Sequence, residues 1–332
     1  MPLIIGSYKL KSRFLLAPMA GITDRLYRDL CRSFGAGLAT SEMISSDLSL
    51  LNTRKTQSRL LHKSEAQPRC VQILGTEPKV MAEAARFNES IGADIIDINM
   101  GCPAKKVCRK AAGSALMQDP ELVRKILTEV VNAVNIPVTV KIRTGTSATQ
   151  RNALSIAKIA EDCGISALAV HGRTRKQAYK GFAEFESIRR IKQQSNIPVI
   201  ANGDISNTHD AKFVLNYTRA DGLMLGRITL GQPWIFQELI NGLANKKEKQ
   251  VLSNKDIKCI IIEHIKNIHT FNPGNKPLDQ SRIARKYIDW YLYRLIGQET
   301  SLLNKYRQEV FSITEAKQQL QTLENILDEI FI

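Results

Sequence analysis

The chain has 332 residues, 43% hydrophobic and 24% charged, the balance of a soluble globular protein and enough for a barrel of ~250 residues plus an appendage. Lys+Arg outnumber Asp+Glu by 47 to 32, and a net charge of +15 points to an anionic polymer or surface as partner, the alternative being a solvated lysine-rich surface with none. No run of ~18 uninterrupted apolar residues occurs, so no membrane span is expected.

The start, Met1-Pro2-Leu3-Ile4-Ile5-Gly6, lacks the basic segment and long apolar core of a secretory signal. Cysteines at 31, 70, 102, 108, 163 and 259 form no CxxC pair and no dense framework, the pattern of reduced thiols in a cytoplasmic protein.

In chain order, residues 4–10 read as a short hairpin and Phe14-Leu15-Leu16-Ala17 as the first main strand, closed by Pro18-Met19-Ala20-Gly21. Thr23 is placed to cap a helix from about Asp24 to Phe34, stopped by Gly35. A second strand, Leu38 to Ser41, leads into a long polar loop and a helix ending near Lys63. Strand Cys70-Val71-Gln72-Ile73-Leu74 and a helix from Pro78 to Ile91 follow. The fourth strand, residues 95–98, runs into the turn Asn99-Met100-Gly101-Cys102-Pro103. Helix 120–134 then precedes strand 138–142, helix 151–163 precedes 167–171, helix 185–194 precedes 198–201, and helix 208–217 precedes 222–225.

Eight short apolar strands, each followed by an amphipathic helix, predict parallel pairing through right-handed crossovers. The count fits an α/β protein whose core is a TM-free TIM (β/α)8 barrel over residues 1–243; an open doubly wound sheet is the alternative. Past the polar run 245–250, strand patterns stop, and Ile257 to Phe271, Gln280 to Leu295 and Thr314 to Ile330 have helical periodicity. Residues 244–332 are therefore expected to form a small helical bundle. They carry 14 Lys+Arg and 11 Asp+Glu, which leaves +12 of the charge on the barrel.

In a barrel of this kind the strands' carboxyl ends surround one site. They would bring together Pro18-Met19-Ala20, Gln72, Asn99, Cys102, Lys141, His171, Asn202-Gly203-Asp204 and Gly226-Arg227. The last two groups follow strands seven and eight, where this fold builds phosphate sites; glycine admits phosphate to backbone N–H groups and Arg227 offers a bidentate partner. Lys141 ends an otherwise apolar strand and needs a polar pocket or an anion; one use is at the pyrimidine edge of a flavin, with Gln72 beside it, and the plain alternative is a lysine snorkelling at the rim. Cys102 lies between Gly101 and Pro103 with Lys105, Lys106, Arg109 and Lys110 close behind, a field that favours a polyanion and lowers a thiol pKa. His171-Gly172-Arg173-Thr174-Arg175 has no second ligand at metal spacing, so no metal is expected, and neither a nucleophile elbow nor a Walker loop occurs.

These motifs resemble the tRNA-dihydrouridine synthases. The likeness rests on Ala17-Pro18-Met19-Ala20-Gly21-Ile22-Thr23-Asp24, Asp97-Ile98-Asn99-Met100-Gly101-Cys102-Pro103, Val140-Lys141-Ile142-Arg143, His171-Gly172-Arg173-Thr174 and Ile200-Ala201-Asn202-Gly203-Asp204-Ile205, with Gly226-Arg227 and Gly231-Gln232-Pro233-Trp234 completing the set. It runs from about Leu10 to the end and is nearest the bacterial B branch over Ile98 to Val107. The resemblance implies FMN held by Pro18, Met19, Ala20, Gln72, Lys141, His171, Asn202, Gly203, Asp204, Gly226 and Arg227, and NADPH as electron donor. It implies reduction of a tRNA D-loop uridine at position 17, with Cys102 as the acid. A thiol near pKa ~8.5 is largely protonated at neutral pH, and the nearby cations oppose this, so substrate stacking and desolvation are expected to keep it protonated.

Asn99 is placed to meet the uracil edge and Arg173 to hold a second anion. Arg282, Arg285 and Lys286 share one helical face beside Tyr287, Trp290, Tyr291 and Tyr293, a candidate tRNA grip whose plain alternative is a packed aromatic stripe with a solvated charged edge. A monomer is expected. The rival functions are a small-molecule FMN dehydrogenase of the dihydroorotate type and an RNA-binding barrel without flavin.

Overall fold

The computed structural model describes residues 2–244, 252–271, 277–297 and 300–331. The linker read at 245–250 lies outside them. The chain divides into two compact units, Met1–Gly226 and Arg227–Ile332.

The first unit opens with an antiparallel hairpin, β1 (Ile4–Ile5) and β2 (Tyr8–Lys9), turned at Gly6 with φ +55°. Nine parallel strands follow: β3 (Phe14–Leu16), β4 (Leu38–Ala39), β5 (Ile44–Ser45), β6 (Cys70–Leu74), β7 (Ile95–Met100), β8 (Val138–Arg143), β9 (Ala167–His171), β10 (Val199–Asn202) and β11 (Gly222–Leu225). Their order is β4-β3-β11-β10-β9-β8-β7-β6-β5. The two ends, β4 and β5, are consecutive pieces of one kinked run. Thr40 bridges Cys70 in parallel and the Ser41 N–H donates to Cys70 O at 2.9 Å, so the sheet closes on itself as the eight-stranded barrel expected. β6 to β11 are almost wholly buried on both faces, which is why they read as continuous apolar runs.

The barrel floor is apolar. Leu3, Ile5 and Leu10 of the hairpin pack with Leu15, Leu38, Cys70, Ile95, Ala167, Ile200 and Met224, so the hairpin plugs the end opposite the strand termini. Helices cover the outside at Arg25–Ser33, Pro78–Ser90, Pro120–Ala133, Ala153–Asp162, Glu186–Gln194 and Thr208–Thr218, each within a few residues of its predicted limits.

Three local expectations change. The first helix is capped by Asp24, whose carboxylate accepts the Tyr27 N–H at 3.1 Å, and not by Thr23, whose Oγ1 accepts the Met19 N–H instead. The segment before β6 holds a 3-10 turn, Leu48–Leu50, and one helical turn, Arg54–Gln57, in place of a helix reaching Lys63. Asn52 to Ser58 lacks an apolar stripe to bury, and the segment is tied down by ion pairs Arg28–Glu65 and Arg59–Glu42. Helix Ser301–Ser312, unassigned in sequence, is capped by Thr300 and buries Leu303, Tyr306 and Val310.

The second unit holds helices Ile235–Leu243, Asn254–Thr270, Pro277–Ile296, Ser301–Ser312 and Ala316–Phe331. Its core centres on Tyr287 and Tyr291, with His264 Nδ1 at 2.8 Å from the Tyr291 hydroxyl. A Cβ on Gly231 would fall 2.2 Å from Trp290 O, and Trp234 stacks on Tyr291, which groups residues 231–243 with these helices although the composition changes only after 243. No helix among the described residues is long and apolar enough to cross a membrane.

Ile5→Ala should lower unfolding free energy by about 2–4 kcal/mol, because a fully buried side chain is cut from the barrel floor; denaturant titration measures it, and a loss under 1 kcal/mol would mean that the hairpin is not a plug.

Candidate active site

Side chains alternate along a strand, so the inward face of each barrel strand is every second residue. Above the apolar floor that face turns polar. The register aligns Gln72 with Asp97 and Asp97 with Thr139, then Asn99 with Lys141, then Arg143 with His171 and His171 with Asn202. The apolar-to-polar change along each strand places the site at the carboxyl end of the barrel.

In the lower tier, Asp97 accepts Thr139 Oγ1–H at 2.6 Å and Gln72 Nε2–H at 2.7 Å. Burial pushes the Asp97 carboxyl above its ordinary range, against the two hydrogen bonds and Lys141. Gln72 Oε1 accepts from Asn99 Nδ2 at 2.7 Å, and Asn99 Oδ1 accepts from the Cys102 and Gly101 N–H groups at 3.0 and 3.2 Å. Lys141 is 9% exposed, and its Nζ donates to Asn202 Oδ1 at 3.0 Å; Asn202 Nδ2 donates onward to Met224 O. Desolvation, helped by Arg143, pulls the Lys141 ammonium down to about 8, against the pull of Asp97 and Cys102. No carboxylate pairs with it among the described residues, so it is a buried cation set to receive an anion.

Cys102 begins the loop after β7. Its carbonyl accepts from the Ser114 hydroxyl at 2.8 Å and the Ser114 N–H at 3.0 Å, and a Cβ on Gly113, φ +62°, would press within 2.8 Å of that oxygen. Burial raises the Cys102 thiol pKa and outweighs Arg143 and Lys141, which lower it. The fold itself thus keeps the thiol protonated, before any substrate stacks there. Lys105, Lys106, Arg109 and Lys110 are exposed and do not figure in its electrostatics.

Arg143 is buried and donates to Gly101 O at 2.6 Å, Thr174 O at 3.1 Å and Ala178 O at 2.8 Å, pinning the loops after β7 and β9 together. The second loop exposes Tyr179 and, at 88%, Phe182, with exposed Lys176 and Lys180 beside them in sequence. Arg173 is buried and committed inward, to Asp204 at 2.8 Å and to Gly181 O at 2.6 Å. Asp204 also accepts the Ala183 N–H, and Gly203, φ +125°, passes so close that a Cβ would meet Ala183 at 2.7 Å and His171 at 3.2 Å. The Pro18-Met19-Ala20 turn reaches the end of β11, where Gly226 lies opposite Met19 Sδ and Ala17 Cβ.

The barrel thus gathers Met19, Gln72, Asn99, Cys102, Lys141, His171, Asn202, Gly203, Asp204 and Gly226 at one end. Arg227 opens the 3-10 turn Arg227–Thr229 of the second unit. There, Arg282 is exposed, Arg285 donates to Ile313 O at 3.3 Å and Lys286 sits 4.4 Å over the Tyr287 ring. Sequence reasoning passed over Asp97, Thr139, Arg143 and Ser114. The first three were findable, since Asp97-Asn99 and Thr139-Lys141-Arg143 are polar at every second position of apolar strands. All six cysteines are free, and no metal-type cluster occurs among the described residues.

The family model described as dihydrouridine synthase (Dus) matches residues 15–331. The chain is 49% identical over 326 residues to tRNA-dihydrouridine synthase B of Vibrio cholerae, covering 98% of this chain and 99% of that one. It is 50% identical over 320 residues to tRNA-dihydrouridine synthase B of Escherichia coli, covering 96% and 97%. Among solved structures, a 2-naphthoyl-CoA reductase complex matches with TM-score 0.57 at 13% identity over 73% of this chain and 52% of that one. An old yellow enzyme homologue from Zymomonas mobilis matches with TM-score 0.51 at 14% identity over 76% and 94%. At that identity the two structures speak for the barrel fold.

Lys141→Met should stabilise the ligand-free protein at pH 7 by up to about 3 kcal/mol, since the native ammonium is held near 8 against an unfolded value near 10.5. Between those values the unfolded chain binds more protons, so the wild type gains stability as pH rises and the advantage of the variant fades by about pH 10. Thermal unfolding at pH 7 and pH 10 checks it; an equal difference at both pH values contradicts a charged, desolvated Lys141.

Proposed function

The chain belongs to the dihydrouridine synthase family, and from that premise we propose that it uses FMN and NADPH to reduce uridine 17 in the D-loop of tRNA to 5,6-dihydrouridine. The observation that carries the reading is Cys102, a thiol held protonated by burial on a turn braced directly above buried Asn99 and Lys141.

The residues present fit a flavin mononucleotide. Lys141 is a buried cation without an anionic partner among the described residues, suited to the electron-rich pyrimidine edge. Gly203, with φ +125°, turns the chain at the end of β10 beside Asn202, Asp204 and His171, and Gly226 ends β11; the ends of these two strands are where such a barrel takes a phosphate, and Arg227 is assigned to it by its motif. Pro18, Met19 and Ala20 line the adjoining turn and Gln72 the lower tier. FMN bound there would supply hydride chemistry for uracil C6, with NADPH as the source of the electrons. The carbon left electron-rich, C5, then takes the proton held on Cys102 Sγ, which closes the two-electron, two-proton balance with the solvent. Asn99, whose amide is committed to Gln72 and to the Cys102 turn, serves the uracil by holding that turn in place. The raised thiol pKa matters here, because a thiolate has no proton to give.

A D-loop uridine must leave its stack to reach a lumen this deep. Exposed Lys105, Lys106, Arg109 and Lys110 beside the Cys102 turn supply phosphate contacts, and Tyr179 and Phe182 with Lys176 and Lys180 supply stacking and charge. Arg282, Arg285 and Lys286 add a basic face on the helical unit. Arg173, whose guanidinium is turned into the protein, holds its loop and the Asp204 turn.

Cys102→Ala should keep FMN bound but lose dihydrouridine formation by about 10²-fold or more. Sequencing-based mapping of dihydrouridine in tRNA incubated with FMN, NADPH and either protein reads both the loss and the position. Unchanged turnover in the variant would remove Cys102 from the chemistry, modification elsewhere than 17 would reassign the target, and a protein that stays colourless after FMN is added would overturn the whole reading. Binding of tRNA should weaken steeply with salt.

A further inference from the structure

Asp97 is a wholly enclosed carboxylate on the lumen face of β7 that the reaction above leaves without a role. Both its oxygens accept: Oδ1 from Thr139 Oγ1–H at 2.6 Å and Oδ2 from Gln72 Nε2–H at 2.7 Å. The backbone register fixes these partners, since Asp97 lies opposite Gln72 in β6 and Thr139 in β8. With Nε2 committed to Asp97, Gln72 turns Oε1 to Asn99 Nδ2 at 2.7 Å. With Nδ2 committed in turn, Asn99 presents Oδ1 to the Cys102 and Gly101 N–H groups.

An amide can sit in its site either way round, but here only one way pairs donor with acceptor at every link. Asp97 Oδ2 accepts from Gln72 Nε2, an atom that can only donate, so the polarity of the chain starts at Asp97. Turning both amides over would set Asn99 Nδ2 against two backbone N–H groups. The carbonyl side of the same turn is held separately, Gly101 O by Arg143 and Cys102 O by Ser114.

We propose that Asp97 is a positioning residue for the proton donor: through the amides of Gln72 and Asn99 it sets the N–H side of the Gly101-Cys102 turn, and so the place and dryness of the thiol. The inference rests on the reading of Cys102 as the acid. What is required of Asp97 is an acceptor and not a charge. Its rival role is as counter-charge to Lys141, which hydrogen-bonds Asn202 and not Asp97.

Asp97→Asn separates the two roles. It removes the charge yet can offer Oδ1 to Gln72, with Nδ2 facing Thr139, whose hydroxyl then swings to Ile96 O, now 3.5 Å away. Asp97→Ala removes charge and acceptor together. The readout is the pH profile of iodoacetamide alkylation at the Cys102 peptide, measured by mass spectrometry on purified protein without tRNA. The wild-type midpoint should lie above the ordinary thiol value, Asp97→Asn should keep it, and Asp97→Ala should move it down by about one pH unit as water enters the turn. In turnover, Asp97→Ala should lower kcat about tenfold or more with the KM for tRNA little changed, and Asp97→Asn should stay within about threefold of wild type.

An Asp97→Asn midpoint as low as that of Asp97→Ala makes Asp97 a charge and overturns the proposal, as does an unshifted Asp97→Ala. Should Asp97→Ala fail to fold, the swap decides. Asn99→Asp alone sets a carboxylate on each side of Gln72 and breaks a link, whereas Asn99→Asp with Asp97→Asn reverses the polarity through Gln72 and satisfies every link again. Both carry the same new carboxylate beside the thiol, which by itself raises the midpoint, so the single variant should have the lower midpoint of the two. Equal midpoints, or the reverse order, overturn the relay. Because alkylation needs no reduced uridine, these outcomes stand apart from the failure of the proposed reaction itself.

Discussion

A parallel strand covered on its outer face by helices has one place for a polar side chain, the lumen of the barrel, and there every donor and acceptor must find a partner. That constraint orders the first unit. The floor, from Leu3 and Ile5 to Ile95 and Ala167, is a cluster of buried apolar side chains closed by the hairpin. Two residues further along the same strands, Gln72, Asp97 and Thr139 form a tier that satisfies itself. One step higher, self-satisfaction ends: Lys141 has an amide oxygen where an ammonium calls for an anion. A packed lumen that turns from apolar to self-paired to incomplete is a socket, and the incomplete tier marks the height at which a ligand enters.

The strands were legible because burial on both faces turns each into an unbroken apolar run, and β9 and β11 keep their predicted limits. The helices were legible from their stripes and stops. Legibility failed where local chemistry offered two equal solutions or none. Thr23 and Asp24 are both good caps, and the choice went to Asp24 because Thr23 Oγ1 is drawn to the Met19 backbone by the turn that precedes it. The segment 46–69 has no periodic stripe, and long-range ion pairs that no local pattern encodes determine its path. Helix Ser301–Ser312 is short and buries only Leu303, Tyr306 and Val310, while Leu302 and Phe311 beside them broaden the apolar pattern and blur the stripe.

The candidate site shows the same divide. Every strand-end residue of the barrel unit came from counting to the end of an apolar run. Arg143 and Asp97 did not, although both stand at alternate positions with residues that were chosen. Each serves the site through another group: Arg143 by holding three carbonyls across two loops, Asp97 by orienting amides. A motif read as a string favours side chains that face a ligand. The side chains that hold those in place become visible only when the register sets Thr139, Asp97 and Gln72 side by side.

Charge counting alone misjudged the thiol. Four cations follow Cys102 in sequence and would lower its pKa, yet they point to solvent, where water screens them. The two cations that do act, Arg143 and Lys141, act through the same low-dielectric interior that penalises a thiolate, and desolvation is the larger effect. The same interior lowers Lys141, so burial keeps the proton on sulfur and loosens it on nitrogen. An anion at the Lys141 tier would reverse only the second of these, restoring the ammonium while leaving the thiol, on its braced turn, protonated. Two neighbouring groups can therefore hold opposite assignments in one cavity, a positive charge for an electron-rich ring and a neutral acid for a carbon, provided that the turn carrying the sulfur stays half-buried, where a thiolate is poorly solvated.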